Sequence, residues 1–141
     1  MAEEVMDCAL RALRHRDRTE REVEEHLRVH GFSNDDGARA LATLRRTGLV
    51  DDARFAHARA SSLASRSAGN ALVRARLCEA GIATELADDA IDALETEAIR
   101  ASRVVTRRGA SPKTARYLYG KGFSEDAVSA AIAERGDGEL G

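Results

Sequence analysis

The sequence predicts an all-α protein, a tandem array of three three-helix repeats that is elongated or curved, and three observations lead there. Aromatic residues are 4% of the 141 residues and proline occurs once, while the strong helix formers Ala, Leu, Arg and Glu abound. Apolar residues recur at three- and four-residue spacing, as in Val5, Ala9, Leu10 and Leu13. One pattern also occurs three times. It has a leucine (Leu27, Leu77, Leu118), a glycine four residues on (Gly31, Gly81, Gly122), an apolar residue directly after it (Phe32, Ile82, Phe123) and an aliphatic residue ten positions beyond the glycine (Leu41, Ile91, Ile132).

Taken in order, the first repeat covers residues 1–50 and opens with a helix over Glu3–His15. Thr19 and Glu22 have the spacing of a capping box for a second helix. That helix ends at Gly31 in a left-handed conformation, Phe32 packs back on its last turn, and Ser33 caps a third helix. The second repeat, residues 51–96, starts at the string Gly48-Leu49-Val50-Asp51-Asp52-Ala53-Arg54-Phe55-Ala56. Gly48 ends a helix, Asp51 caps the next, Asp52 places a carboxylate against the positive end of its dipole, and Val50 is positioned to staple onto Phe55. The helix runs to Arg66, and Gly81 then divides a helical hairpin. In the third repeat, residues 97–135, a helix spans Glu97–Arg108 and Ser111 caps one with Pro112 in its first turn. Gly122 and Ser124 mark the last turn-and-cap, with Phe123 placed to staple onto Val128. Residues 136–141, rich in glycine and acid, are expected to form a flexible tail.

Apolar residues are 43% of the chain, but alanine supplies much of this, so a thin core of modest stability is expected. Glu3, Glu4 and Asp7 make Met1–Leu10 unlike a targeting signal, and no stretch approaches the ~20 apolar residues of a membrane span. A soluble, cytoplasmic protein is expected. There Cys8 and Cys78 stay reduced and serve as small core residues.

The Gly48–Ala56 string resembles the G-[YLI]-[IVL]-[DN]-D-x-[RK]-[FY]-A signature of the RecX family of recombination regulators. The resemblance extends to Ala9-Leu10 with Leu13, to Arg16-x-Arg18-Thr19-x-x-Glu22, to Arg66 with Gly69, to Gly81-Ile82 and to Gly122-Phe123-Ser124. Family members commonly carry proline where this chain has Asn70, and they are often more basic. The resemblance implies a monomer without cofactor, acting in DNA repair and the SOS response. It would lodge in the groove of the RecA filament and restrain its ATP turnover and strand exchange. DNA would be met weakly, or only within the filament.

The net charge of −2 hides a segregated pattern. Five arginines (Arg54, Arg59, Arg66, Arg74, Arg76) and no acid lie in Ala53–Cys78; seven acids and no Lys or Arg lie in Glu79–Glu97. Seven bases (Arg100, Arg103, Arg107, Arg108, Lys113, Arg116, Lys121) and no acid lie in Ala98–Ser124. Such blocks pair with each other across repeats, or they meet phosphate or an acidic protein. The partner-facing candidates are Arg66, Arg74, Arg76, Arg103, Arg107, Arg108, Lys113, Arg116, Tyr117 and Lys121, with the two aromatic-basic types serving as anchors. Gly48, Asp51, Asp52, Arg54, Phe55, Gly81 and Gly122 are read as structural. Rival readings are a helix-turn-helix DNA-binding module and a scaffold for another acidic protein.

No catalytic set is expected. Asp51 and Asp52 diverge on their helix and are explained by capping, and each glycine follows a helix instead of joining a strand to one. Glu22, His26 and His30 share a helix face at four-residue steps, but no fourth ligand is evident in the sequence, so no metal site is assigned.

Overall fold

The structure, a computed structural model, describes the backbone of residues 2–140 and the side chains of residues 2–135. The described backbone is all helical and contains no strand. The helices are α1 (Ala2–His15), α2 (Glu20–Val29), α3 (Asn34–Arg46), α4 (Asp52–Ser65), α5 (Asn70–Glu79), α6 (Thr84–Asp92), α7 (Glu97–Arg108), α8 (Pro112–Gly120) and α9 (Glu125–Leu140).

The helix starts follow local chemistry. Thr19 closes a full capping box with Glu22, and the hydroxyls of Ser33, Ser111 and Ser124 accept from the N–H three residues on, as does the Asp51 carboxylate. Gly31, Gly81 and Gly122 have φ of +89°, +94° and +88°, and the amide after each donates to the carbonyl of Leu27, Leu77 or Leu118 at 3.0–3.1 Å. The repeated leucine therefore both packs inward and supplies the carbonyl that ties off its helix.

Each repeat holds its own apolar cluster. Val5, Val23, Leu27 and Leu44 lie in the first, Val73, Leu77, Ile82 and Ile91 in the second, and Val104, Val105, Leu118, Phe123 and Val128 in the third. Val50 is buried in the first cluster while Phe55, half-buried, packs against the second, so the two ends of the expected staple serve different cores. Cys8 is buried, but Cys78 is exposed: Leu77 takes the inward position, and the next residue of a helix points about 100° away. Helix α9 carries on through Gly136 and Gly138 to Leu140, where composition led us to expect a tail over 136–141. Once nucleated over the well-packed turns before Arg135, a helix gains a hydrogen bond for each residue added. Gly141 lies outside the described residues.

Candidate functional site

Separate cores leave the joints between repeats to polar groups, and the two joints share one plan. In each, the N-terminus of the middle helix of one repeat meets the C-terminus of the middle helix of the next. At the first joint the Thr19 hydroxyl donates to the Ala80 carbonyl at 2.5 Å, and Arg21 donates to the Glu79 carbonyl. At the second, Gly69 N–H donates to the Lys121 carbonyl at 2.8 Å and Ala71 N–H to that of Gly122 at 3.2 Å. At the second joint orphan backbone donors of one helix thus satisfy orphan acceptors of another; at the first, side chains supply the donors to the carbonyls at the helix end.

An acid from the first residue of the following repeat's first helix completes each joint. Asp52 Oδ1 accepts from Glu20 N–H at 2.9 Å, and Glu97 Oε2 accepts from Asn70 N–H at 2.6 Å. Glu97 Oε1 also takes Ser124 N–H at 3.0 Å, so one carboxylate ties α5, α7 and the α8–α9 turn together. Burial pushes the Glu97 carboxyl up, but hydrogen bonds from Ser124 and from the Asn70 N–H, with the Arg100 charge, outweigh it and hold the pKa below its usual value. For Asp52, burial dominates; with the nearby Glu20 and Asp51 charges it raises the pKa despite the Glu20 N–H bond and Arg45.

Arg100 is the buried cation of the second joint, with 7% exposure. Its Nε donates to the Glu95 carbonyl at 2.9 Å, Nη1 to the Ala68 carbonyl at 2.7 Å and Nη2 to Asn70 Oδ1. Its guanidinium lies over the Phe123 ring, 5.9 Å from the centroid. Burial lowers its pKa against the pull of Glu97 and Glu95, and a guanidinium stays charged regardless. The Asn70 amide oxygen supplies an acceptor for that cation, which proline there would lack.

Of the residues read as structural, Gly48, Asp51 and Arg54 make local contacts at the start of α4, whereas Asp52, Gly81 and Gly122 lie at the joints. Gly48 has φ +78°, its carbonyl accepts from Arg54 Nη1 at 2.9 Å, and Asp51 accepts from Arg54 N–H at 3.0 Å. Phe55 lines a cleft of about 580 Å³ between the first and second repeats, with Arg16, Glu22, Arg59, Arg76 and Glu79. A Cβ on Gly81 would stand 2.7 Å from Arg21 Cβ, and one on Gly122 2.6 Å from Leu72 N, so both positions also need the space that glycine leaves.

The candidate basic residues divide. Arg74 pairs with Asp88 at 3.2 Å, Arg76 with Glu79 at 3.2 Å, and Arg103 bidentately with Glu95 at 2.8 and 2.9 Å. Among the described residues Arg66, Arg107, Arg108, Lys113, Arg116 and Lys121 have no ion pair. Several of these are linked in space. Arg66 at the end of α4 donates to Ser62 at 2.9 Å, Arg107 reaches the adjacent Ser67 Oγ at 3.3 Å, and Arg108 stacks 3.5 Å above the Tyr117 ring. Lys113, Arg116 and Tyr117 share α8, whereas Lys121 caps it beside the joint. Arg107 and Arg103 also line a second cleft of about 420 Å³, between the second and third repeats. Arg59, exposed at the mouth of the first cleft, was not among the candidates, although its place in an acid-free run was the available signal.

No helix among the described residues is long and apolar enough to cross a membrane. Residues 6–44 match the model of the first three-helix domain of RecX, and residues 51–91 that of the second. The chain is 30% identical to the regulatory protein RecX of Halorhodospira halophila, covering 94% of this chain and 88% of that one. It is 33% identical to that of Chromohalobacter salexigens, covering 90% of each chain, and 32% identical to that of Chlorobaculum tepidum, covering 90% and 85%. The crystal structure of RecX from Lactobacillus salivarius has the same fold, with a TM-score of 0.82 at 22% identity over 94% of this chain and 95% of that one. The all-helical fold, the tandem units and the sequence relatives agree: this chain belongs to the RecX family of regulatory proteins.

Proposed function

We propose that the protein is a cytoplasmic, monomeric, non-catalytic regulator that binds the RecA nucleoprotein filament and restrains its ATP hydrolysis and strand exchange, taking residues 1–50, 51–96 and 97–135 as its three units. The observation that carries this reading is the unpaired basic row from Arg66 through Arg107 and Arg108 to Lys113 and Arg116. Its stacked Arg108–Tyr117 pair has the composition of an interface anchor. The paired Arg74, Arg76 and Arg103 are assigned to the scaffold, and Lys121 to the edge of the row.

Titration of the protein into RecA on single-stranded DNA should lower the ATP hydrolysis rate to a plateau at stoichiometric amounts; an unchanged rate at saturation refutes the reading. Reversal of Lys113 and Arg116 to Glu should weaken filament binding far more than reversal of Arg11 and Arg14, and equal losses would move the contact away from the third repeat. A helix-turn-helix module is the second reading, since the same row suits phosphate. Duplex DNA held by about six phosphate contacts would give a logarithmic salt slope near −5. The expected result is weaker binding to bare DNA than to the filament, with a shallower slope for the filament.

A further inference from the structure

Beyond this function, we infer that Cys8, His26 and His30 form a binding site for a borderline-soft transition-metal ion of the Zn²⁺ class. The three residues come from two helices of the first repeat. Cys8 lies on the inner face of α1, and His26 and His30 are one turn apart at the end of α2. One donor atom from each lies within 4.8 Å of the other two, and the imidazole centroids are 4.2 Å apart. Donors around a tetrahedral Zn²⁺ with bonds of 2.0–2.3 Å stand ~3.5 Å apart. Closure therefore needs shifts of about 1 Å, within reach of the exposed His30 ring on its own side-chain torsions.

Two further features suit a ligand set. His30 Nδ1 lies 2.8 Å from the His26 carbonyl, a contact that is a hydrogen bond only when Nδ1 carries the proton. That tautomer leaves the Nε2 lone pair for a metal, the arrangement by which metal-bound histidines are usually oriented. The donors also open on a cavity of about 190 Å³, which gives space for an ion and for water in its fourth position; His15 stands on the cavity wall, outside the donor cluster.

Two imidazoles and a thiolate select against Mg²⁺ and Ca²⁺, which take oxygen ligands, and favour Zn²⁺ or its relatives. Arg11 and Arg18 also line the cavity and oppose a dication. Arg18 Nε is directed at the Ala12 carbonyl at 3.0 Å and Arg11 Nε at that of Asp7 at 3.5 Å, while on binding the Cys8 thiol gives its proton to solvent and the thiolate cancels one charge of the metal. Glu22, on the same face of α2, is excluded from the set, because its carboxylate accepts from Thr19 N–H at 3.0 Å and pairs with Arg16 at 3.3 Å.

The test is titration of the reduced, chelator-treated full-length protein with Co²⁺, followed by displacement with Zn²⁺. One equivalent of Co²⁺ should produce a thiolate-to-metal charge-transfer band that Zn²⁺ abolishes. Cys8→Ala should remove the band and Cys78→Ala should keep it. His30→Gln, at an exposed position, should weaken Zn²⁺ roughly tenfold or more while leaving the metal-free melting temperature unchanged. A protein that shows no charge-transfer band with equimolar Co²⁺, or a band lost with Cys78→Ala and kept in Cys8→Ala, overturns the assignment. So does Zn²⁺ affinity unaffected by His30→Gln, a variant that does not depend on the tolerance of the buried Cys8 position.

Discussion

At the first joint the helix ends are held apart by a side chain, whereas at the second they meet backbone to backbone. Thr19 uses its hydroxyl twice, accepting from Glu22 N–H at 3.1 Å and donating to Ala80. Its counterpart Gly69 has no side chain and no cap of its own; its N–H reaches Lys121 directly, and Glu97 caps the helix from the next repeat. The second joint adds the buried Arg100, for which the first has no equivalent among its described contacts. One acid in one register serves both, so the plan is shared and the fillings differ. The lesson is that a joint can be tightened by removing a side chain, provided that another repeat supplies the missing cap and a cation supplies donors for the carbonyls left over.

That difference can be broken residue by residue. Arg100→Met should cost about 3–5 kcal/mol, because it removes the donors of two carbonyls and an amide oxygen and leaves Glu97 without its buried countercharge. Denaturant unfolding monitored by circular dichroism reads this directly, and a loss below ~1 kcal/mol would mean that the cation does not hold the joint. Gly69→Ala should cost about 3 kcal/mol. The added Cβ would meet Phe123 N and stand 2.5 Å from the Gly122 carbonyl carbon, while φ of −80° at this position is one that alanine accepts, so the loss is purely steric. Thr19→Val, which keeps the shape and removes the hydroxyl, should cost about 1–2 kcal/mol at the first joint. If the valine variant lost more stability than Gly69→Ala, the ranking of the two joints would be reversed.

The smallest effect is on pH dependence, and the two acids act with opposite sign. Glu97 has a lowered pKa in the folded state, so its contribution is complete above the ordinary glutamate range and is lost as pH falls through the lowered value. Asp52 has a raised pKa, so its ionised form disfavours folding; stability is recovered as pH falls through the raised value and complete below the ordinary aspartate range. Stability profiles of Glu97→Gln and Asp52→Asn through the carboxylate range should therefore diverge from the parent in opposite directions. Deviations of the same sign would show that the joints do not differ as described.

Much of this was legible in the chain. The capping box at Thr19, the caps at Ser33, Asp51, Ser111 and Ser124, and the left-handed glycines involve partners within six residues, so residue type and spacing were enough. Other features were hidden by distance along the chain. Arg100 counts in sequence as one more member of a basic block; its contacts to Ala68 and Asn70 span about thirty residues. Glu97 reads as an acid in a helix's first turn, and nothing local shows that it caps a different helix. The face shared by Glu22, His26 and His30 was visible, yet the third donor placed beside the imidazoles is Cys8, from another helix.

The sequence by itself determined the helices, their capped and glycine-terminated ends, the threefold repeat and the sign of each charged block, because these follow from backbone sterics, capping and periodicity over a few residues; the far end of α9, which has neither cap nor terminating glycine, it did not. Tertiary structure alone decided which charges are free. Arg74, Arg76 and Arg103 come within hydrogen-bonding distance of carboxylates while Arg107, Arg108, Lys113 and Arg116 do not, and Coulomb attraction depends on separation in space, which block order along a chain does not specify.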